Sequence, residues 1–259
     1  MIATRISLPV VLAAAFALPG CAGTATKSTG AQPWSDARQL VMVTTADWNA
    51  TTGTLQRYER SNGRWQAVGD ATPITVGRAG SAWGIGLNPV QDNGPQASAP
   101  QKREGDGRAP AGVFRIGTAF GYADRAATGW PYQAMTASDW CIDVNDSPLY
   151  NRIVDARQVG DAAVAGLSPP VRRRPPPTWG VRYKLGFVIE HNPGNRSGAG
   201  SCIFAHLWKG PGETTAGCTA MAEPAMQQLL AWLDPKRKPV FVLLPTTEHE
   251  RVRKDWDLP

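Results

Sequence analysis

The chain has 259 residues, with 27 Lys and Arg against 21 Asp and Glu, a formal net charge of +6. That length holds one large domain; the sequence shows no internal repeat and no DNA- or RNA-reading motif. The mild basic excess fits an anionic neighbourhood such as a cell wall or a lipid surface, and equally simple solubility; charge alone does not separate the two.

Residues 1–20 read as a secretion signal, with Arg5 ahead of an apolar run from Leu8 to Leu18. The run is about eleven residues, shorter than the roughly 20 that a bilayer-spanning helix needs. The following Leu18-Pro19-Gly20-Cys21 resembles the lipobox of bacterial lipoproteins. The resemblance implies a periplasmic protein held to a membrane by a lipid on Cys21; the alternative is an ordinary cleaved signal with an incidental cysteine. Cleavage removes Arg5 and leaves 26 basic residues against 21 acidic ones, a net charge of +5. Export also argues against a nucleic-acid partner. Residues 21–35 are dominated by Ala, Gly, Ser and Thr with no apolar period and read as a flexible tether. Residues 36–259 form the domain, which contains no second apolar run of membrane length.

That domain reads as mainly β. Gln39–Thr45 is a short apolar strand, and Gly53–Arg60 alternates toward a Ser61-Asn62-Gly63 turn and a second strand, Arg64–Val68, as in a hairpin. Ile74–Val76, Gly112–Gly117 and Trp140–Val144 are further short strands. Leu185–His191, Cys202–Leu207 and Val240–Leu244 are the most apolar runs and so the expected centre of the sheet. One helix is expected over Pro224–Leu233, where Met226, Leu229, Leu230 and Leu233 line one face, Pro224 suits the first turn and Asp234-Pro235 ends it. Two long loops, Val90–Ala111 with Lys102-Arg103-Glu104-Gly105-Asp106-Gly107 and Leu167–Trp179 with Arg172-Arg173-Arg174, are either binding loops or solvated connectors.

Beyond Cys21, the cysteines are Cys141, Cys202 and Cys218. In an oxidising compartment two can pair and one is left as a candidate reactive thiol. Cys218 lies among small residues, Thr215-Ala216-Gly217-Cys218-Thr219-Ala220, which let backbone and substrate approach the sulfur. A thiol needs a base or a positive neighbour to become a nucleophile near neutral pH. Of the three histidines, His206 lies twelve residues upstream at the end of an apolar strand, and Gly210-Pro211-Gly212 turns the chain back toward Cys218. Spacing leaves two readings open: a Cys/His catalytic pair, or a small buried cysteine and a satisfied core histidine. His191 ends another apolar strand and is either a pocket residue or a strand-end polar group. His249, in the charged tail Glu248–Lys254, reads as solvent-exposed. The ten Trp residues read mainly as packing, with Trp208 beside His206 a pocket candidate.

Gly200-Ser201-Cys202-Ile203-Phe204-Ala205-His206-Leu207-Trp208 followed by Thr215-Ala216-Gly217-Cys218-Thr219-Ala220 resembles the active-site segment of YkuD-type L,D-transpeptidase domains: a His, a spacer, then Ser/Thr-His-Gly-Cys and often an Arg. Thr215, Gly217 and Cys218 match, and His206 matches the upstream histidine across a shorter spacer. Glu104-Gly105-Asp106-Gly107 with Ala109-Pro110-Ala111-Gly112-Val113-Phe114 resembles the family's Thr-Pro-x-Gly-x-Phe segment. The likeness spans most of residues 38–245. Ala216 replaces the second His and Ala220 stands where Arg is common, as in a divergent branch with Ala-Gly-Cys.

The resemblance implies a β-sandwich-like catalytic domain with a few short helices. It implies Cys218 as nucleophile, His206 as general base and acid with its second nitrogen held by a main-chain carbonyl, and the backbone N–H groups of Gly217 and Cys218 as oxyanion donors. Thr215, Ala216, Trp208 and His191 become the expected substrate pocket. Cys141 and Cys202 become the expected disulfide, with two separate thiols as the alternative. The implied partners are peptidoglycan stem peptides, acted on by a monomer without metal or cofactor. Three functions follow: an L,D-transpeptidase, a hydrolytic relative such as a carboxypeptidase, endopeptidase or wall-amide hydrolase, or a non-catalytic wall-binding lipoprotein.

Overall fold

The computed structural model describes residues 2, 31–91, 99–164 and 181–259. The signal segment, Cys21 with most of its tether, and the Arg172–Arg174 loop lie outside the described residues. Residues Gln32–Pro259 form one compact unit.

Strand β1 spans Gln39–Thr45, β2 Thr52–Ser61 and β3 Arg64–Thr75. The hairpin between β2 and β3 turns on Asn62 and Gly63, both at positive φ (49° and 76°), the two-residue geometry that suits the strands' right-handed twist. β3 runs through Ile74, so the two short strands expected at Arg64 and Ile74 are one. β4 is Ser81–Trp83 and β5 Ala109–Gly121; β6 (Tyr132–Ala134), β7 (Asp139–Cys141) and β8 (Ile153–Asp155) are short. A one-turn helix α1 (Ala156–Val159) follows, then β9 (Leu185–Ile189), β10 (Phe204–Leu207) and β11 (Thr219–Met221). Helix α2 is Glu223–Trp232, β12 is Val240–Pro245 and helix α3 is Thr246–Val252.

The main sheet runs β12-β1-β2-β3-β11-β10-β9-β5, and β12 pairs with β5 as well as with β1. The path therefore returns on itself. The described domain is mainly β with three helices, and its sheet is closed and barrel-like; the expected two-layer sandwich is not established by these pairings. Closure removes free edges and explains why every residue of β12 is buried. The core fills from β1, β5, β9 and β12, with α2 contributing Met226, Leu229 and Leu230 on the face its spacing indicated. Trp34, Trp83 and Trp256 pack edge to face at 5.7–6.2 Å, so these tryptophans are structural. The charged tail is helical: α3 covers most of it, and His249 is half-buried with Nε2 2.8 Å from the Pro259 carbonyl, not solvent-exposed as its charged setting indicated.

β6 pairs with β5 at the main sheet, while β7 and β8 form a separate two-stranded sheet that, with α1, is fastened to the strand ends of β9 and β10. Cys141 and Cys202 are joined by a disulfide. The Asn151 amide donates to the His191 and Asn192 carbonyls and its oxygen accepts from Cys202 N–H at 3.0 Å. Tyr150 donates to the Glu104 carboxylate, which also accepts from Ser201 Oγ at 2.7 Å. The Glu104–Gly107 stretch thus ties three chain segments together. Asp106, its other acid, accepts from Lys102 Nζ at 2.6 Å and from Arg103 and Arg108 N–H.

Candidate active site

β10 and β11 run parallel, with Ala205 beside Thr219 and His206 beside Ala220. Side chains alternate along a strand, so Phe204 and His206 share one face with Cys218 and Ala220. β9 continues that face: Val188 lies beside Phe204 and Gly186 beside His206. Cys218 sits just before β11, at the level of Phe204. Its thiol donates toward the Cys202 carbonyl at 3.7 Å, and the Phe204 N–H donates to its sulfur at 3.4 Å. His206 is on the same face, one strand across and two residues along, and no hydrogen bond joins it to Cys218 among the described residues.

The turn that delivers Cys218 depends on glycine. Gly217 has φ +148°, and a Cβ there would lie 2.9 Å from the Arg108 carbonyl oxygen. Thr215 braces the turn: its hydroxyl donates to the Cys218 carbonyl at 2.7 Å and accepts from Gly217 N–H at 3.1 Å. This corrects one expectation. The Gly217 N–H is already spent on Thr215 Oγ1, so it is not a free oxyanion donor in this conformation, and Cys218 N–H remains the candidate. Thr215 is a turn brace, Ala216 is exposed on the outside of the turn, and Trp208 is half-buried past the end of β10.

The His206 ring is 3% exposed, with Nδ1 2.8 Å from the Leu207 carbonyl. An N–H···O=C bond at Nδ1 fixes the tautomer and leaves Nε2 as the basic nitrogen. Burial pulls its pKa down to about 4, against the opposing pull of the Leu207 carbonyl. The Arg182–Glu213 ion pair lies close by, and Lys209 N–H also donates to Glu213 at 2.6 Å, tethering the loop between β10 and Cys218. Burial pushes the Cys218 thiol up to about 11; the Phe204 N–H and the buried Lys102 ammonium pull the other way and lose. Thiol and imidazole are therefore both neutral at rest. Both shifts favour the neutral pair over the thiolate–imidazolium form.

Around the sulfur pack Phe120, Met135, Phe204 and the disulfide, with Tyr183 alongside. Tyr183 lies 5.2 Å from the His206 ring, centroid to centroid, and both burial and the Cys218 charge keep its phenol protonated. Sequence reading missed Tyr183 because it stands before β9 in no motif; only its place beside an apolar strand could have flagged it.

His191 is a second correction. Its Nδ1 accepts from Ile85 N–H at 3.2 Å and its Nε2 lies 2.9 Å from the Ala199 carbonyl. With both nitrogens engaged and 2% exposure it is a structural pin, not a pocket residue. Among the described residues no group of three or more His, Cys, Asp or Glu is placed to hold a metal ion.

The model of the YkuD family, described as an L,D-transpeptidase catalytic domain, matches residues 44–242, more than half of the chain. No curated protein matches the chain. Among solved structures, the chain is similar to one titled "Structure of Bdellovibrio bacteriovorus Bd1075", at 12% identity and a TM-score of 0.40, over 85% of this chain and 55% of that one.

Proposed function

Because the chain belongs to the YkuD L,D-transpeptidase family, we propose that it is a cysteine acyltransferase acting on peptidoglycan stem peptides through a Cys218 thioester. The observation that carries this reading is the His206 tautomer: Nδ1 is held by the Leu207 carbonyl, which leaves Nε2 basic on the face that bears Cys218.

In this mechanism the Cys218 sulfur attacks the carbonyl carbon of the residue preceding a terminal D-alanine. The neutral starting pair requires the proton to pass to His206 Nε2 as the S–C bond forms, since free thiolate is scarce. The negative oxygen meets Cys218 N–H. Collapse breaks the C–N bond, His206 gives its proton to the departing amine, and D-alanine leaves a thioester on Cys218. An amine of a second stem then attacks to form a crosslink, or water attacks to release a trimmed stem.

Export, a periplasmic location and a lipid on Cys21 belong to the same proposal. The Cys141–Cys202 disulfide supports an oxidising compartment.

The test is incubation of the purified chain with muropeptides, followed by product analysis, with Cys218→Ala alongside. Crosslinked products and a covalent acyl adduct on the wild type, both absent from Cys218→Ala, are expected. Trimmed stems would favour the hydrolase; unchanged muropeptides would favour the non-catalytic wall-binding reading; an adduct persisting in Cys218→Ala would remove Cys218 as nucleophile. Lipidation is checked separately by the mass of the Cys21 peptide.

A further inference from the structure

The starts of β12, β1 and β3 and the end of β2 lie together at one rim of the sheet, because β12 and β1 run parallel and β2 is antiparallel to both its neighbours. Arg38 N–H donates to the Arg237 carbonyl at 2.8 Å, and Arg60 N–H donates to the Arg38 carbonyl at 2.9 Å. Arg64 opens β3 opposite Ser61, and Lys236, Arg237 and Lys238 lead into β12. Six basic residues thus stand side by side on four neighbouring strands. At about 4.8 Å per strand they cover about 14 Å.

Part of this charge is neutralised on the spot. Lys238 pairs with Asp36, Arg60 with Asp257, and Arg237 with Glu59 at 2.8 Å. The fourth acid, Asp234, accepts from Lys236 N–H at 2.9 Å, while the exposed Lys236 ammonium makes no ion pair among the described residues. Arg38 and Arg64 are likewise exposed and make no ion pair among the described residues. Arg115 adds a seventh base: it is exposed opposite the first residue of β12, and its charge reaches the Asp36 carboxyl, which Lys238 holds low. Seven bases against four acids leave a surplus of +3 at this rim, out of +5 for the chain without residues 1–20. Like charges crowded in this way repel one another, and an opposing anion relieves the repulsion. A single small anion meets one or two of the bases; an extended anionic surface meets them all.

Two features choose among such surfaces. The chain enters the domain on this rim, with Trp34 and Ala37 buried immediately before Arg38 and β1. From Cys21 to Gln32 the chain reaches at most about 40 Å even at full extension, so a lipid on Cys21 keeps this rim within that distance of a bilayer. The candidate nucleophile stands at the other end of β3. That strand runs 12 residues from Arg64 to Thr75, and Thr75 pairs with Ala220, just past Cys218.

We propose that this rim is a docking surface for an anionic phospholipid bilayer, seating the domain with Cys218 directed away from the membrane. The choice of a lipid surface over another polyanion rests on the Cys21 anchor of the proposed function; the basic rim itself does not.

The chain from residue 21, prepared without a lipid, is sedimented with vesicles of phosphatidylcholine alone or of equal parts phosphatidylcholine and phosphatidylglycerol. Binding to the anionic vesicles is expected to be at least about tenfold tighter and to fall as salt rises. Each basic residue near such a surface is worth about fivefold, so Arg38→Gln/Arg64→Gln/Lys236→Gln should lose about a hundredfold, with thermal melting and muropeptide turnover as in wild type. Equal binding to both vesicles, or anionic binding that survives the triple variant, overturns the docking surface; so does binding to an acidic wall polymer in place of the vesicles. Orientation is read by acetylating the vesicle-bound chain with a water-soluble reagent and mapping the lysines by mass spectrometry. Lys236 and Lys238 should be spared, and the exposed Lys209, on the loop before Cys218, should react as it does without vesicles. Equal reaction of all three, or protection of Lys209 instead, overturns the orientation. Neither measurement needs turnover. A chain with no lipid mass on Cys21 that still binds through this rim would sink the anchor and leave the docking surface standing; one that binds but leaves muropeptides unchanged would sink the acyl-transfer reading alone.

Discussion

His206 and His191 make a matched pair. Each ends or follows an apolar strand of the same sheet, each is at most 3% exposed, and burial pulls each pKa down to about 4. They differ in one lone pair. His191 uses Nδ1 to accept from Ile85 and Nε2 to meet Ala199, so nothing is left for a substrate. His206 uses Nδ1 on the Leu207 carbonyl and keeps Nε2. Burial and a perturbed pKa therefore do not mark a catalytic imidazole in this fold; an unspent nitrogen on the face of a thiol does.

The largest effect that can break this comparison is on rate. His206→Gln removes the base and is expected to lower D-alanine release by about 10²–10⁴-fold. The fold is expected to survive, because the replaced ring makes a single hydrogen bond among the described residues. Steady-state kinetics with a folded, melting-checked variant reads this; a loss under tenfold would return His206 to the status of a core histidine.

His191→Ala tests the other half. It leaves the Ile85 N–H and the Ala199 carbonyl without their partner in a buried corner, at about 1–3 kcal/mol each. Chemical denaturation is expected to show a loss of about 3 kcal/mol, with kcat of the folded fraction little changed. A stable His191→Ala chain with abolished turnover would reverse the roles assigned to the two rings.

Sequence reading reached part of this contrast. The apolar runs at Leu185, Phe204 and Val240 marked the central strands because burial on both faces, complete in β10 and β12 and partial in β9, leaves a continuous hydrophobic signature. Closure of the sheet was not legible, since alternation identifies a strand and says nothing about which strand it joins; the β12–β5 pairing links positions over a hundred residues apart. Helix α3 was hidden by its charge, as its apolar contact with the core is carried by Val252 alone among its residues. At the site, Cys218 and His206 could be singled out by residue type, while the difference between His206 and His191 could not. Both end apolar stretches, and what separates them is which carbonyl and which N–H stand within 3.2 Å of each nitrogen. The Glu104 acid illustrates the same limit: its motif was visible, yet its partners Tyr150 and Ser201 are 46 and 97 residues away.

The smallest expected effect is the one in which the two histidines behave alike. In the unfolded chain an imidazole titrates near 6.5, and in the fold both titrate at about 4. Between those values the unfolded chain holds more protons than the folded one, so stability falls as pH falls through the window, by up to about 1.4 kcal/mol per pH unit for each ring. Above pH 6.5 neither ring contributes a slope. Carboxylates held low in the fold, such as Glu213 and Asp155, add their own acid sensitivity only below about 4.5, while burial raises Asp143 and gives it a slope of opposite sign, so the histidine contribution is read as the difference between wild type and each variant between pH 6.5 and 5. His206→Gln and His191→Gln should each remove one proton from the linkage and flatten the slope equally, although one is expected to abolish turnover and the other is not. If His206→Gln leaves the slope intact while His191→Gln abolishes it, His206 is charged in the fold, and the neutral thiol–imidazole starting state of the mechanism gives way to an ion pair.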